Sequence, residues 1–222
     1  MRIAILGTGT VGQTIGSKLV QIGHEVYLGS REAANPKAIA WANKENLNKD
    51  STQRHALFGT FANAAEFGEV IFNCTLGSAS LEALHMAGAS NLRGKILIDT
   101  ANPLDYSTDS WSLTVANNDS LGEQIQRAFP NAFVVKTLNT VNCDVMVDPN
   151  KLTETTDVFL SGDSANAKAR VASFLREWFG WRSIIDLGDI TTARAVEMYI
   201  PLWRCFRKAS KSYHFNIKFV GT

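Results

Sequence analysis

The chain has little with which to hold a metal or build a disulfide framework. Its three cysteines, Cys74, Cys143 and Cys205, are odd in number and far apart. No Cys-x-x-Cys occurs, and the four histidines do not join the cysteines at ligand spacing. They read as isolated, buried free thiols, because unpaired cysteine is among the most often buried residue types. Free thiols place the protein in a reducing, cytoplasmic compartment. An excess of charge of one sign is also missing: 22 Lys and Arg against 21 Asp and Glu leave a net charge of +1, with no basic tract and no acidic tail. No global field therefore favours nucleic acid or an anionic membrane. No apolar run approaches the ~20 residues that cross a bilayer. The N-terminus opens directly on a strand, without the pattern of a secretory leader. What is present, 222 residues with 45% hydrophobic and 19% charged side chains, fits a globular protein of one large or two small domains.

A further absence is local. Residues 2–6 are an apolar strand, and Gly7-Thr8-Gly9-Thr10-Val11-Gly12 follows as a Gly-x-Gly-x-x-Gly turn. A helix over 11–22 then carries Val11, Ile15, Leu19 and Ile22 on one face. This order seats a dinucleotide pyrophosphate on a helix N-terminus. Gly7 permits the turn, Gly9 lets backbone approach the phosphates, and Gly12 lets the helix pack closely on the sheet. Thr8 and Thr10 add hydroxyls, and the helix start at Val11 adds free N–H groups. At the tip of the next strand, over 25–28, an NAD-binding protein places an acid that accepts hydrogen bonds from the ribose 2′-OH. Here there is no acid, but Gly29-Ser30-Arg31. A hydroxyl beside a guanidinium fork suits a 2′-phosphate, so the cofactor reads as NADP(H). Lys37 reads as a surface lysine.

Strands and helices alternate along the rest of the chain, with strands at 55–58, 69–74, 95–99 and 133–136 and helices at 36–45, 61–67, 80–87 and 120–129. That rhythm predicts a Rossmann-type parallel α/β sheet with helices on both faces. Residues 100–118 form a long polar connection that includes Tyr106 and Trp111. After residue 141 the pattern repeats on a smaller scale. Strands are expected at 157–160 and 182–185 with a helix between them. A long helix over 191–210 is interrupted by Pro201, and a short strand at 215–220 ends the chain. We therefore expect a dinucleotide-binding domain at 1–141 and a small C-terminal α/β domain at 142–222 closing the acceptor cleft. Ligands of such sheets lie beyond the carboxyl ends of the strands. The nicotinamide should meet Thr75-Leu76-Gly77, Ala101-Asn102-Pro103 and Thr137-Leu138-Asn139. Asn102 and Asn139 suit either a carboxamide contact or a turn without any ligand.

Several segments together resemble the coenzyme F420-dependent NADP oxidoreductases. They are the N-terminal run through Gly29-Ser30-Arg31, Val135-Lys136-Thr137-Leu138-Asn139-Thr140, Ser161-Gly162-Asp163, Gly180-Trp181, Asp186-Leu187-Gly188, Ala193-Arg194…Glu197 and the terminal Phe215-Asn216-Ile217-Lys218-Phe219. The resemblance spans nearly the whole chain. It implies direct hydride transfer between NADPH and a deazaflavin, coenzyme F420 or a flavin-like compound, in which stacking and proximity do most of the chemistry. No side-chain acid or base is implied as catalytic. By the same resemblance Thr8, Ser30 and Arg31 bind the adenosine phosphates, Val135 and Thr137 lie near the nicotinamide, and backbone near His214-Phe215 borders the deazaflavin. The fold also resembles the NADPH domain of membrane ferric reductases.

Two other functions stay open at this level. An imine or β-hydroxyacid reductase would need an acid near the nicotinamide, for which Lys136 is the only neighbour, and a strand-end lysine is expected to be solvated. A non-enzymatic NADPH sensor would share the same fingerprint. His214 reads as a packed or surface histidine rather than a proton donor. Trp178, Trp181 and Trp203, with Met198, Ile200 and Leu202, read as small-domain core with apolar surplus for a homodimer. The expected partner is a small-molecule redox acceptor.

Overall fold

The structure is a computed structural model that describes residues 1–47, 55–105, 107 and 112–221. Tyr106 and Trp111, and most of the polar stretch after residue 46, lie outside the described residues. Six strands form one parallel sheet: β1 (Arg2–Leu6), β2 (Glu25–Ser30), β3 (Ala56–Thr60), β4 (Val70–Asn73), β5 (Ile96–Asp99) and β6 (Phe133–Lys136). Their spatial order is β3-β2-β1-β4-β5-β6, the doubly wound arrangement whose order reverses beside β1. The middles of the strands are mostly apolar because helices cover both faces, whereas Asn73, Asp99 and Lys136 at strand ends are buried polar or charged residues. Ile3 and Ile5 of β1 point into one buried layer, whereas Ala4 and Leu6 point into the other.

Helices α1 (Thr10–Gln21), α2 (Pro36–Glu45), α3 (Phe61–Phe67), α4 (Ser80–Ala87), α5 (Ala89–Leu92) and α6 (Leu121–Ala128) complete this part. Local chemistry sets their starts. Asn35 caps α2 by accepting from the N–H groups of Lys37 and Ala38, and Pro36 takes the first turn. Ser120 caps α6 by accepting from Glu123 N at 3.1 Å.

The remainder holds α7 (Cys143–Val147), β7 (Asp157–Leu160), α8 (Ala165–Phe174), β8 (Ser183–Asp186), α9 (Ala193–Met198) and α10 (Ile200–Ser210). β7 and β8 pair in parallel. The end of β7 joins the end of β6 through two antiparallel backbone bonds between Lys136 and Ser161, 2.9 and 3.1 Å. The buried layer on the α1 side runs unbroken from Ile15 and Leu19 through Val145, Val158 and Trp178 to Trp181. Trp181 donates its indole N–H to Met146 O at 2.9 Å, and Trp178 stacks on Phe174 at 4.0 Å.

Four expectations change. The helix over 191–210 is two helices, broken at Tyr199, with Pro201 in the first turn of α10, where its missing N–H costs nothing. Residues 215–220 form no strand. Asp157 N donates to Ile217 O, but Asn216 Nδ2 takes the Asp157 carbonyl and the Asp157 carboxylate takes Phe219 N, so side chains replace a ladder. Of the three thiols only Cys74 is buried, Cys143 is half-buried and Cys205 is exposed on α10. Met198 and Leu202 are exposed rather than core, whereas Ile200 is buried. Among the described residues, no helix is long and apolar enough to cross a membrane.

Candidate functional site

The carboxyl ends of β1, β2, β4, β5 and β6 open into one cleft of about 970 Å³, near the top of the ~300–1,000 Å³ range of small-molecule sites. Its floor is the turn Gly7 to Val11. Gly7 has φ +118°, and a Cβ there would stand 2.5 Å from the Cys74 carbonyl oxygen, so no other residue fits this turn. A Cβ at Gly12 would stand 2.3 Å from Gly7 O. Gly12 therefore does not line the cleft but lets α1 press against the turn. The α1 N-terminus has no side-chain cap at Gly9 and no acid in its first turn. Its outward N–H groups and dipole are left for an anion. At Gly9 a Cβ would meet nothing within 4 Å, so the backbone is open to whatever occupies the cleft.

One end of the cleft is charged. Arg31 is 60% exposed and loosely paired with Glu82 at 3.5 Å, and Lys37 and Asn35 stand on the same wall. Ser30 is buried, and its hydroxyl donates to Glu32 O at 2.5 Å. The Ser30 proton is therefore spent on shaping the turn that presents Arg31. The other end is apolar, with Val141, Met146, Ile200 and Trp203 on its wall. The Trp203 indole N–H is buried without a hydrogen-bond partner among the described residues, as is the Tyr199 hydroxyl. Burial pushes the Tyr199 phenol up to about 12, so it stays protonated.

Between the two ends the strand tips are cross-linked. Asn102 Nδ2 donates to Asn139 O, and Asn139 Nδ2 donates to Asn102 Oδ1, each at 2.9 Å, and to Val196 O at 3.1 Å. The two amides thus clamp the ends of β5 and β6 to α9. Leu138 between them is buried with φ +63°, a left-handed conformation that costs a side chain about 1–2 kcal/mol and that packing must hold. Thr75 Oγ1 bonds Asn73 Oδ1 at 2.7 Å, and Asn73 Nδ2 donates to Asp99 Oδ1 at 2.8 Å.

Behind this wall lies Lys136, fully buried rather than solvated. Its Nζ is 2.8 Å from Asp99 Oδ2, 2.7 Å from Glu197 Oε1 and 2.5 Å from Ala101 O. The lysine was misread because its partners are distant in sequence. Burial alone would lower its pKa, but Asp99 and Glu197 outweigh burial and hold it above the ordinary range. Glu197 also accepts from Leu121 N and Gly122 N, and Arg194 forks onto Glu123 at 2.8 and 2.5 Å. The α9 pair Arg194 and Glu197 therefore latches onto the start of α6.

Of the residues expected at the site, Gly7, Thr8, Gly9, Thr10, Val11, Ser30, Arg31, Thr75, Leu76, Asn102 and Asn139 line the cleft. Val135 is in the core, and Thr137 is buried with its hydroxyl unpartnered. His214 stands half-exposed, 3.3 Å from Asp144, and is not on the cleft wall. Phe215 reaches the cleft only through Trp203, with ring centres 5.3 Å apart. Ile200, Trp203, Met146 and Cys143 line the cleft without having been expected there.

Comparison with known proteins matches the chain to a family of nicotinamide-dependent oxidoreductases. The family described as NADP oxidoreductase, coenzyme F420-dependent, matches residues 2–103. The chain is 28% identical over 219 residues to the F420-dependent NADP reductase of Methanothermobacter marburgensis, covering 91% of this chain and 90% of that protein. It is also 28% identical to metalloreductase STEAP3 of Rattus norvegicus over 91% of this chain, but spans only 38% of that longer protein. The crystal structure of a putative F420-dependent NADP-reductase from Arthrobacter sp. FB24 superposes with a TM-score of 0.90 at 45% identity, covering all of both chains.

Proposed function

This chain belongs to the coenzyme F420-dependent NADP oxidoreductase family and is an NADP-dependent oxidoreductase. We propose on that premise that it transfers a hydride between NADP(H) and coenzyme F420 inside the cleft beyond the strand ends. One observation carries this reading. An uncapped, acid-free helix N-terminus and Arg31 lie at one end of the cleft, and an apolar wall with an unpartnered indole N–H lies at the other. The charged end suits a dinucleotide carrying a 2′-phosphate, and the apolar end suits a flat ring.

A hydride carries two electrons, so NADPH leaves as NADP⁺ and the reduced acceptor gains one further proton from solvent. The protein's part is positioning and exclusion of water. The α1 N–H groups and Thr8 and Thr10 hold the pyrophosphate, and Arg31 holds the 2′-phosphate. Thr75, Leu76, Asn102 and Asn139 shape the nicotinamide site, with Val135 and Thr137 packed behind them. Trp203, with Ile200, gives the acceptor ring an apolar wall to lie against. Lys136 gives no support to imine-type reduction, because it is fully buried in two ion pairs and does not line the cleft where an acid would have to meet the substrate.

The segment 142–222 forms the lid side of the cleft through α10. Met198 at the end of α9 and Leu202 and Phe206 on α10 are 38%, 50% and 43% exposed, an apolar surface that supports a homodimer. Leu202→Glu should then lower the sedimentation coefficient to that of a monomer. The activity is tested by mixing the protein with NADPH and F420 and following the F420 absorbance. Rapid bleaching with tight NADPH binding is expected. Tight NADPH binding with no turnover of F420, FMN or riboflavin would overturn the assignment.

A further inference from the structure

From Ile200 onward the chain has five basic side chains and no acidic one, in a protein of net charge +1. Four of them, Arg204, Arg207, Lys208 and Lys211, recur at spacings of three and four residues and so share one face of α10. Together with Tyr213 they line a groove of about 440 Å³. Arg207 is held in place there, with its guanidinium 4.2 Å over the Tyr213 ring and hydrogen-bonded to the Tyr213 hydroxyl. Among the described residues Arg207, Lys208 and Lys211 make no ion pair.

This face is continuous with the redox cleft. Ile200 lies four residues before Arg204 on the same face, and Ile200 and Trp203 form the cleft wall. The Trp203 ring in turn neighbours Tyr213 at 6.4 Å. From Ile200 to Lys211 the helix runs roughly 16 Å at ~1.5 Å per residue. We propose that this groove binds the anionic arm of the hydride acceptor, a chain carrying phosphate or carboxylate groups, while the acceptor's ring occupies the cleft beside Trp203. The proposal rests on the cleft being the acceptor site. Arg31 and the glycine turn line the cleft and not this groove, so the 2′-phosphate of NADPH is assigned to Arg31 and not to the groove. Clustered cations such as Arg207, Lys208 and Lys211 raise the local concentration of an anion and steer its approach, and salt weakens both effects.

Coenzyme F420 carries a phosphodiester and glutamyl carboxylates on a flexible arm, and its phosphate-free deazaflavin core does not, so the two compounds isolate the groove. The measured quantity is the ratio of kcat/KM for F420 to that for the core, at low and high salt. The ratio should be well above one in the wild type, shrink with salt, and fall ~10-fold or more in K208E/K211E, two exposed positions where substitution leaves the fold intact. An unchanged ratio in the variant, or a wild-type ratio near one, overturns the proposal. So does a rise in the KM for NADPH alone. If neither compound oxidises NADPH, the acceptor assignment itself has failed. Binding of F420, followed by its own fluorescence, then decides the groove. Weaker binding by K208E/K211E sustains an anion site there, whereas equal or absent binding removes it.

Discussion

Glu197 Oε1 stands 2.7 Å from Lys136 Nζ with both side chains out of contact with water. The pair ties α9 to the end of β6. Through Asp99, Asn73 and Thr75 it is connected by hydrogen bonds to the cleft wall. Such a pair adds little net stability compared with apolar residues of the same size, but removing one partner strands the other charge in the interior.

Lys136→Met should therefore destabilise the protein by about 3–5 kcal/mol, because Asp99 and Glu197 would both remain buried without their cation. The urea midpoint measures this. In the fraction that stays folded, hydride transfer should persist without a change in the shape of its pH profile between 6 and 9, since Lys136 stays charged throughout that range.

Acid should loosen the α6–α9 latch. The side-chain bonds from Arg194 hold the Glu123 carboxyl below its ordinary value, and those from Arg127 hold Asp119 at about 2. Both folded values are depressed, so the stabilisation is complete above the unfolded carboxylate pKa of ~4 and is lost as pH falls through the folded values. The melting temperature should be flat from pH 7 to about 5 and drop below about 4. Glu123→Gln should lower it at pH 7 by the equivalent of about 1 kcal/mol and flatten the acid limb. Asp119→Asn should do less, because Arg127 is 60% exposed.

Arg31→Ala removes the guanidinium fork placed for a 2′-phosphate, leaving Lys37 as a single charge on the same wall. The loss of a charge-assisted fork is worth about 1.5–3 kcal/mol, so preference for NADPH over NADH should fall roughly 10- to 100-fold. Dissociation constants for both nucleotides check this. Full retention of the preference would refute the role given to Arg31.

The three thiols should react in order of exposure. Cys205 on α10 is exposed, Cys143 half-buried, and burial pushes the Cys74 thiol up to about 12. At pH 8 a disulfide reagent should modify Cys205 first, Cys143 slowly and Cys74 only in denaturant. Mass spectrometry of tryptic peptides gives the order.

Sequence periodicity carried the six-stranded sheet and the glycine turn, because most strands have an apolar middle and each turn residue has a local reason. The floor of the cleft and its Arg31 end were legible for the same cause. The opposite wall was not. Ile200 and Trp203 come to the cleft only through tertiary packing, and α7 is too short at five residues to display a helical period. Lys136 looked solvated because Asp99 and Glu197 meet it across the fold. Asn102 and Asn139 fit either of two roles until their mutual bonds appeared. Cys205 defied the general tendency of free cysteine to be buried, since α10 turns it away from the core.

The two backbone bonds between Lys136 and Ser161 have a consequence for solubility. β6 is the last strand of the large sheet and would otherwise offer unpaired amides and carbonyls to another chain. Ser161 occupies its terminal positions, so the C-terminal segment acts as a built-in stopper against edge-to-edge association. A truncation before β7 would strip that stopper from the final turn of the sheet and favour aggregates even where the nucleotide turn stayed intact.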